Sequence, residues 1–171
     1  MLPLPSLLAA AVLFIGLSTA APASASAACD VGAAALAAAM PDLTQAQPLL
    51  ISRRPVWNPP VHQEARADGP RLPQPLADAW AKAKPSNLFV VCPELEARLP
   101  TGWRYATEEE EGARLQKPTI RLFGAPLVDG ASALIHVGSV CGGLCGGGGV
   151  RHWRKATGRW RPVGYVGLWI S

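Results

Sequence analysis

The chain has 171 residues, 49% of them hydrophobic, with 16 Lys and Arg against 12 Asp and Glu and a formal net charge of +4. Twelve of the 16 cations are Arg, dispersed without a basic stripe, which argues against nucleic acid as a partner. So mild a surplus allows only weak attraction to an anionic envelope surface.

Leu2 to Ala28 carries no charged side chain, and Leu7 to Leu17 is an apolar run too short for a membrane-spanning helix. Small residues follow, and both Ala23-Ser24-Ala25 and Ala25-Ser26-Ala27 fit the small-x-small cleavage rule, although no Lys or Arg precedes the apolar run. The pattern predicts a signal peptide over residues 1–27 and a periplasmic or secreted mature chain, 28–171, with no transmembrane segment after cleavage. About 144 residues then remain, enough for a single domain with one core. Four cysteines in an exported chain, Cys29, Cys92, Cys141 and Cys145, imply disulfides. Four allow three connectivities. Cys141–Cys145 with Cys29–Cys92 is the favoured one, because the first pair is local and lies in a bend flexible enough to close.

Taken in order, Cys29 to Met40 is Ala-rich and predicts a helix that Pro41 ends. Residues 41–75 hold eight prolines, which exclude regular ladders and continuous helix. The segment reads as extended and irregular, with a short strand near Leu49–Arg53 and a mobile part from His62 to Gln74. Leu76, Ala79, Trp80 and Ala83 share one face of a helix over Leu76–Lys84. Asn87 to Cys92 reads as a buried strand, Pro93 to Leu99 as a turn of helix, and Pro100-Thr101-Gly102 as a turn. Thr107 and Glu110 have capping-box spacing; the carboxylates Glu108 to Glu111 point around a helix rather than at one cation.

Residues 118–171 are β in character. Pro118–Phe123, Ala133–Val140, Val150–Lys155 and Arg159–Ile170 are strand-like, with turns at Asp129-Gly130 and Thr157-Gly158 and a glycine-rich bend at Cys141–Cys145. Trp160, Pro162, Gly164, Val166, Leu168 and Ile170 share a face if the last strand is unbroken, but Gly164 and Gly167 suggest a bulge. The expected fold is α+β: an antiparallel β-meander of about four or five strands in the C-terminal half, with short N-terminal helices packed on one face.

The clustered chemistry is Cys141-x-x-x-Cys145. It reads as a structural disulfide, with a redox dithiol or a metal site completed by His136 and His152 as alternatives. Pairing Val140 with Val150 places His152 opposite Gly138, with His136 its diagonal neighbour. Gly146 to Gly149 lacks the Gly-Lys-Ser/Thr ending of a phosphate loop and reads as a loop needing positive φ and close backbone approach. Among the aromatics Trp103, Trp153, Trp160, Tyr165 and Trp169, a binding face of Trp153, Arg154, Trp160 and Arg161 competes with packing in the core. No Ser/His/Asp set is legible, no catalytic residue is assigned, and no cofactor is implied.

Ala133-Leu134-Ile135, Cys141-Gly142-x-Leu144-Cys145-Gly146-x-Gly148, Lys155, Gly158-x-Trp160 and the terminal Trp169-Ile170-Ser171 occur in that order. Together they resemble a group of small exported bacterial proteins of no established function. The match covers about 40 residues, roughly Gly130 to Ser171, and carries no activity with it. The expected role is non-enzymatic, in binding an envelope protein or glycan or in maintaining the envelope; a thiol-redox or metal-binding protein using the CxxxC pair is the alternative.

Overall fold

The computed structural model describes residues 23–39, 49–61, 72–112, 119–141 and 145–170. The expected signal core and the stretch from His62 to Arg71 lie outside them. The helices are α1 (Ala23–Ala39), α2 (Gln74–Lys82), α3 (Leu88–Val91) and α4 (Glu108–Gly112), with a 3-10 helix at Pro93–Arg98. The strands are β1 (Leu50–Ile51), β2 (Arg104–Tyr105), β3 (Ile120–Phe123), β4 (Leu127–Asp129), β5 (Ser132–Val140), β6 (Gly146–Ala156) and β7 (Arg159–Ile170). They form one sheet in the order β2-β1-β3-β5-β6-β7, with β4 also paired to β5.

β5, β6 and β7 are the expected meander. Thr157 and Gly158, both at positive φ, make the turn between β6 and β7, the conformation that suits the twist of a two-residue hairpin. The rest corrects the expectation. The sheet has seven strands, and it is not wholly antiparallel: β1 lies parallel to both its neighbours, with Leu50 against Arg104 and Ile120. β1 precedes β2 by some fifty residues of connecting chain. A long connection of this kind permits parallel pairing, which a tight turn cannot.

Alternation along β5 assigns the two faces. Ala133, Ile135 and Trp153 pack with Val31 and Ala35 of α1. On the same side Phe123 joins Leu36, Leu88, Phe89, Cys92 and Leu95. Leu134, Val150 and Val166 point the other way, onto Leu72, Leu76, Ala77 and Trp80 of the α2 region. Helices therefore cover both faces, not one. Both faces of β5 are apolar, so each needs a cover.

α1 buries Ala28, Val31, Ala35 and Leu36, a helical stripe. Cys29, on this helix, is joined to Cys92 at the end of α3, with Cα atoms 5.5 Å apart. The strand expected at Asn87–Cys92 is instead α3. The Asn87 side chain accepts a hydrogen bond from the Phe89 amide at 2.9 Å and so caps the helix start. Leu88, Phe89 and Cys92 are buried while Val90 and Val91 are exposed, a helical and not an alternating pattern. In α4 the Thr107 amide donates to Glu110 Oε2 at 2.8 Å and the Glu110 amide to Thr107 Oγ1 at 3.2 Å, which is the expected capping box.

Candidate functional site

Cys141 and Cys145 are joined, and no described cysteine is free. The Cys141 amide donates to the Cys145 carbonyl at 2.8 Å, so the bridge closes the end of a ladder. Gly146 to Gly149 are not loop but the first residues of β6. None has positive φ; among the described glycines only Gly102, Gly130 and Gly158 do. What the run requires is close approach. A Cβ on Gly148 would lie 2.6 Å from Gly138 Cα and 2.9 Å from Trp169 Nε1. One on Gly149 would run into the Gly167 carbonyl and the Leu168 side chain. Because the glycines are ladder residues, Val140 pairs with Gly146 and not with Val150, and His152 lies opposite Leu134.

The bare glycine strip lets the Trp169 ring lie across the sheet toward His136. His136 is buried, with Nδ1 2.8 Å from the Trp57 carbonyl. A carbonyl only accepts, so Nδ1 carries the proton, and Nε2 accepts from Trp169 Nε1 at 2.7 Å. The rings of Trp57, His136 and Trp169 form a triangle with centroid separations of 5.8, 5.9 and 6.1 Å. Burial lowers the His136 pKa, against the opposing effect of the Trp57 carbonyl. Protonating Nε2 would set one donor against another at Trp169. This relay ties β7 to the 49–61 segment and fixes Trp57.

Trp57 forms one wall of a cleft of about 160 Å³. Ile120, Leu122 and Val140 supply an apolar surface from β3 and β5, and Pro55 and Val56 line it further. Ser52, Arg54 and Glu111 make its polar part. The Ser52 hydroxyl donates to Glu111 Oε1 at 2.7 Å and accepts from the Arg54 amide at 3.1 Å. Arg54 Nε donates to Glu111 Oε2. The cap residue Asn87 also donates from Nδ2 to the carbonyls of Ser52 at 2.8 Å and Arg54 at 3.0 Å. One side chain thus both starts a helix and positions the polar part of the cleft.

The sequence-predicted residues fall elsewhere. Trp153 and Trp160 are buried beneath α1, while Arg154 and Arg161 are exposed and paired across β6 and β7, so the four do not form one face. Cys141, Cys145, His136 and His152 are not brought to a common point among the described residues. The metal-like group found there, Cys29, Cys92 and Glu94, has its two sulfurs bonded to one another. His152 is buried with neither ring nitrogen hydrogen-bonded; desolvation, with Arg154 secondary, lowers its pKa.

Ser52, Arg54, Trp57 and Glu111 were not legible as a set, because they lie on segments that meet only in the folded sheet. The available signal was Trp57 itself, a large aromatic in a proline-rich stretch with few other apolar side chains. No protein-family model, no curated protein and no solved structure matches this chain.

Proposed function

We propose that the protein is exported by way of a signal peptide over residues 1–27. In the periplasm or outside the cell, it then serves as a non-enzymatic, disulfide-braced binding or structural domain of the bacterial envelope. The observation that carries this reading is that the reactive groups of the two bridges and of the cleft and its Trp57 wall are engaged with one another. Four sulfurs form two bridges, both nitrogens of His136 are occupied, and the Ser52 hydroxyl donates to a carboxylate that also takes Arg54. A serine whose neighbouring carboxylate is already held by an arginine has only a weak base to activate it, whereas a preformed cleft with satisfied walls binds well.

Two observations favour export. Disulfides persist in oxidising compartments. Of the three residues around the expected cleavage site, Ser26 is exposed, Ala27 half-buried and Ala28, just past it, buried. No helix among the described residues is long and apolar enough to cross a membrane. The test is the amino terminus and non-reducing peptide map of protein recovered from the periplasm. The expected result is a chain starting near Ala28 with peptides linked Cys29–Cys92 and Cys141–Cys145. An uncut Met1, or thiols that titrate without reductant, would sink the reading.

A redox role for the CxxxC pair keeps one observation in its favour: Cys145 is exposed and Cys141 half-buried. Against it, strands and not a helix start flank the pair, so no helix dipole lowers a thiol pKa. Equilibration in glutathione buffers separates the two, since a structural bridge stays closed where a redox pair opens.

A further inference from the structure

We infer that the cleft beneath Trp57 binds a compact, uncharged molecule with an apolar body and one acceptor oxygen, such as a cyclic alcohol or amide. This rests on the binding-domain reading above. The cavity, at about 160 Å³, matches the size of apolar protein cavities that accept a benzene-sized guest. Ile120, Leu122, Val140 and Val56 offer that body no hydrogen-bonding group. A sugar ring there would bury hydroxyls without partners, which disfavours glycans inside the cleft.

The polar part selects the head group. The Ser52 proton is already donated, and both Glu111 oxygens already accept. Arg54, which lines the cleft, uses Nε on Glu111; its side chain is 56% exposed and carries two further terminal nitrogens, both donors. A surplus of donors calls for an acceptor. Charge calls for a neutral one: Arg54 and Glu111 cancel, and exposed Glu108 and Glu109 on α4 repel an anion. A cation would have to displace Arg54 from a carboxylate whose side chain is only 10% exposed. The Trp57 wall, held by His136 and Trp169, is already in place, so little ordering cost opposes binding.

The test titrates cyclohexanol, cyclohexanecarboxylate, cyclohexylamine and glucose into the purified chain, read by amide and indole NMR shifts. Cyclohexanol is expected to saturate with a Kd near 1 mM, about tenfold tighter than the carboxylate or the amine, shifting the Trp57 indole and residues of β3 and β5. Arg54→Met should weaken cyclohexanol about fivefold and leave cyclohexane, titrated beside the four as an apolar control, unaffected. Val140→Phe should abolish binding of both; if that variant does not fold, the shift map and the Arg54 variant still decide. Unsaturable shifts, equal affinity for all four probes, or binding unchanged by Arg54→Met overturn the assignment. Saturation by glucose alone overturns the ligand class. None of these outcomes touches the amino terminus or the bridge map, so the cleft can fail while the exported, disulfide-braced reading stands.

Discussion

His152 is 1% exposed and makes no hydrogen bond, in a core built from Leu134, Val150 and Val166. Burying an unpartnered polar ring costs free energy. His152→Leu, close in volume, should therefore stabilise the protein by about 1 kcal/mol in urea unfolding. A loss of stability would show that the ring has a role in the fold. His136 and His152 both have pKa values lowered from 6.5. Above pH 6.5 both are neutral whether folded or unfolded, and their contribution is constant. Below it the unfolded chain takes up protons that the folded chain refuses. Stability should then fall with pH, by up to about 1.4 kcal/mol per pH unit for each histidine, until the lowered folded values are reached. Glu110, held near 2 mainly by its hydrogen bond to Arg104, acts only in more acid solution and does not confuse this window. A flat urea midpoint from pH 7 to 5 would refute the prediction; His152→Leu should reduce the slope. The glycines give a sharper residue-level contrast. Gly149→Ala should cost about 1–3 kcal/mol, because the Gly167 carbonyl cannot retreat, while Gly164→Ala, with open space around it, should change little. The need for glycine and for close backbone approach at 146–149 was legible in the sequence; that the run is strand without positive φ was not, since this depends on a register that the residues did not specify.

At the scale of elements, the two bridges differ in what they close. Cys29–Cys92 spans 63 positions and ties α1 to α3; Cys141–Cys145 spans four. In the chain-entropy account the first is worth about 4 kcal/mol and the second about 2 kcal/mol. Cys29→Ser/Cys92→Ser should lower the melting temperature more than Cys141→Ser/Cys145→Ser, and calorimetry on the two variants checks it. The reverse order would mean that the hairpin end matters more to the fold than α1 does. The pairing is the one favoured among three connectivities because Cys141 and Cys145 are local; α2, the capping box of α4 and the β5–β6–β7 meander were readable outright. α3 was not. A short apolar run such as Leu88-Phe89-Val90-Val91 has no period long enough to tell helix from strand, and the deciding feature is the Asn87 side chain turning back onto the Phe89 amide. The last strand shows the limit of alternation in another way. Register shifts between Val150 and Arg151 and between His152 and Trp153 leave Trp160 and Val166 buried but Leu168 and Ile170 exposed. One unbroken face would have kept all four together.

At the scale of the whole molecule, the mixture of helices with a mostly antiparallel sheet was legible and the layering was not. Placing helices on both sheet faces requires knowing that β5 is apolar on both sides and that β1 enters the same sheet. Neither follows from a single strand's pattern. The candidate cleft is a product of that layering: Ser52 and Trp57 come from one side of the proline-rich region, Glu111 from α4, and Ile120, Leu122 and Val140 from the sheet. Its residues span much of the chain, and so it could not be read as a motif.

β1 lies between two strands that occur later in the chain, which fixes an order of events. As the polypeptide emerges amino end first, Leu50 and Ile51 have no partner until Arg104–Tyr105 and then Ile120–Phe123 have been made. Among the described residues no strand precedes them to finish the sheet in their place. A fragment stopped at Gly112 should stay unstructured by circular dichroism, and supplying the remainder as a separate peptide should restore order. The amino-terminal half is thus obliged to wait for its sequel, a delay that would suit the export proposed above.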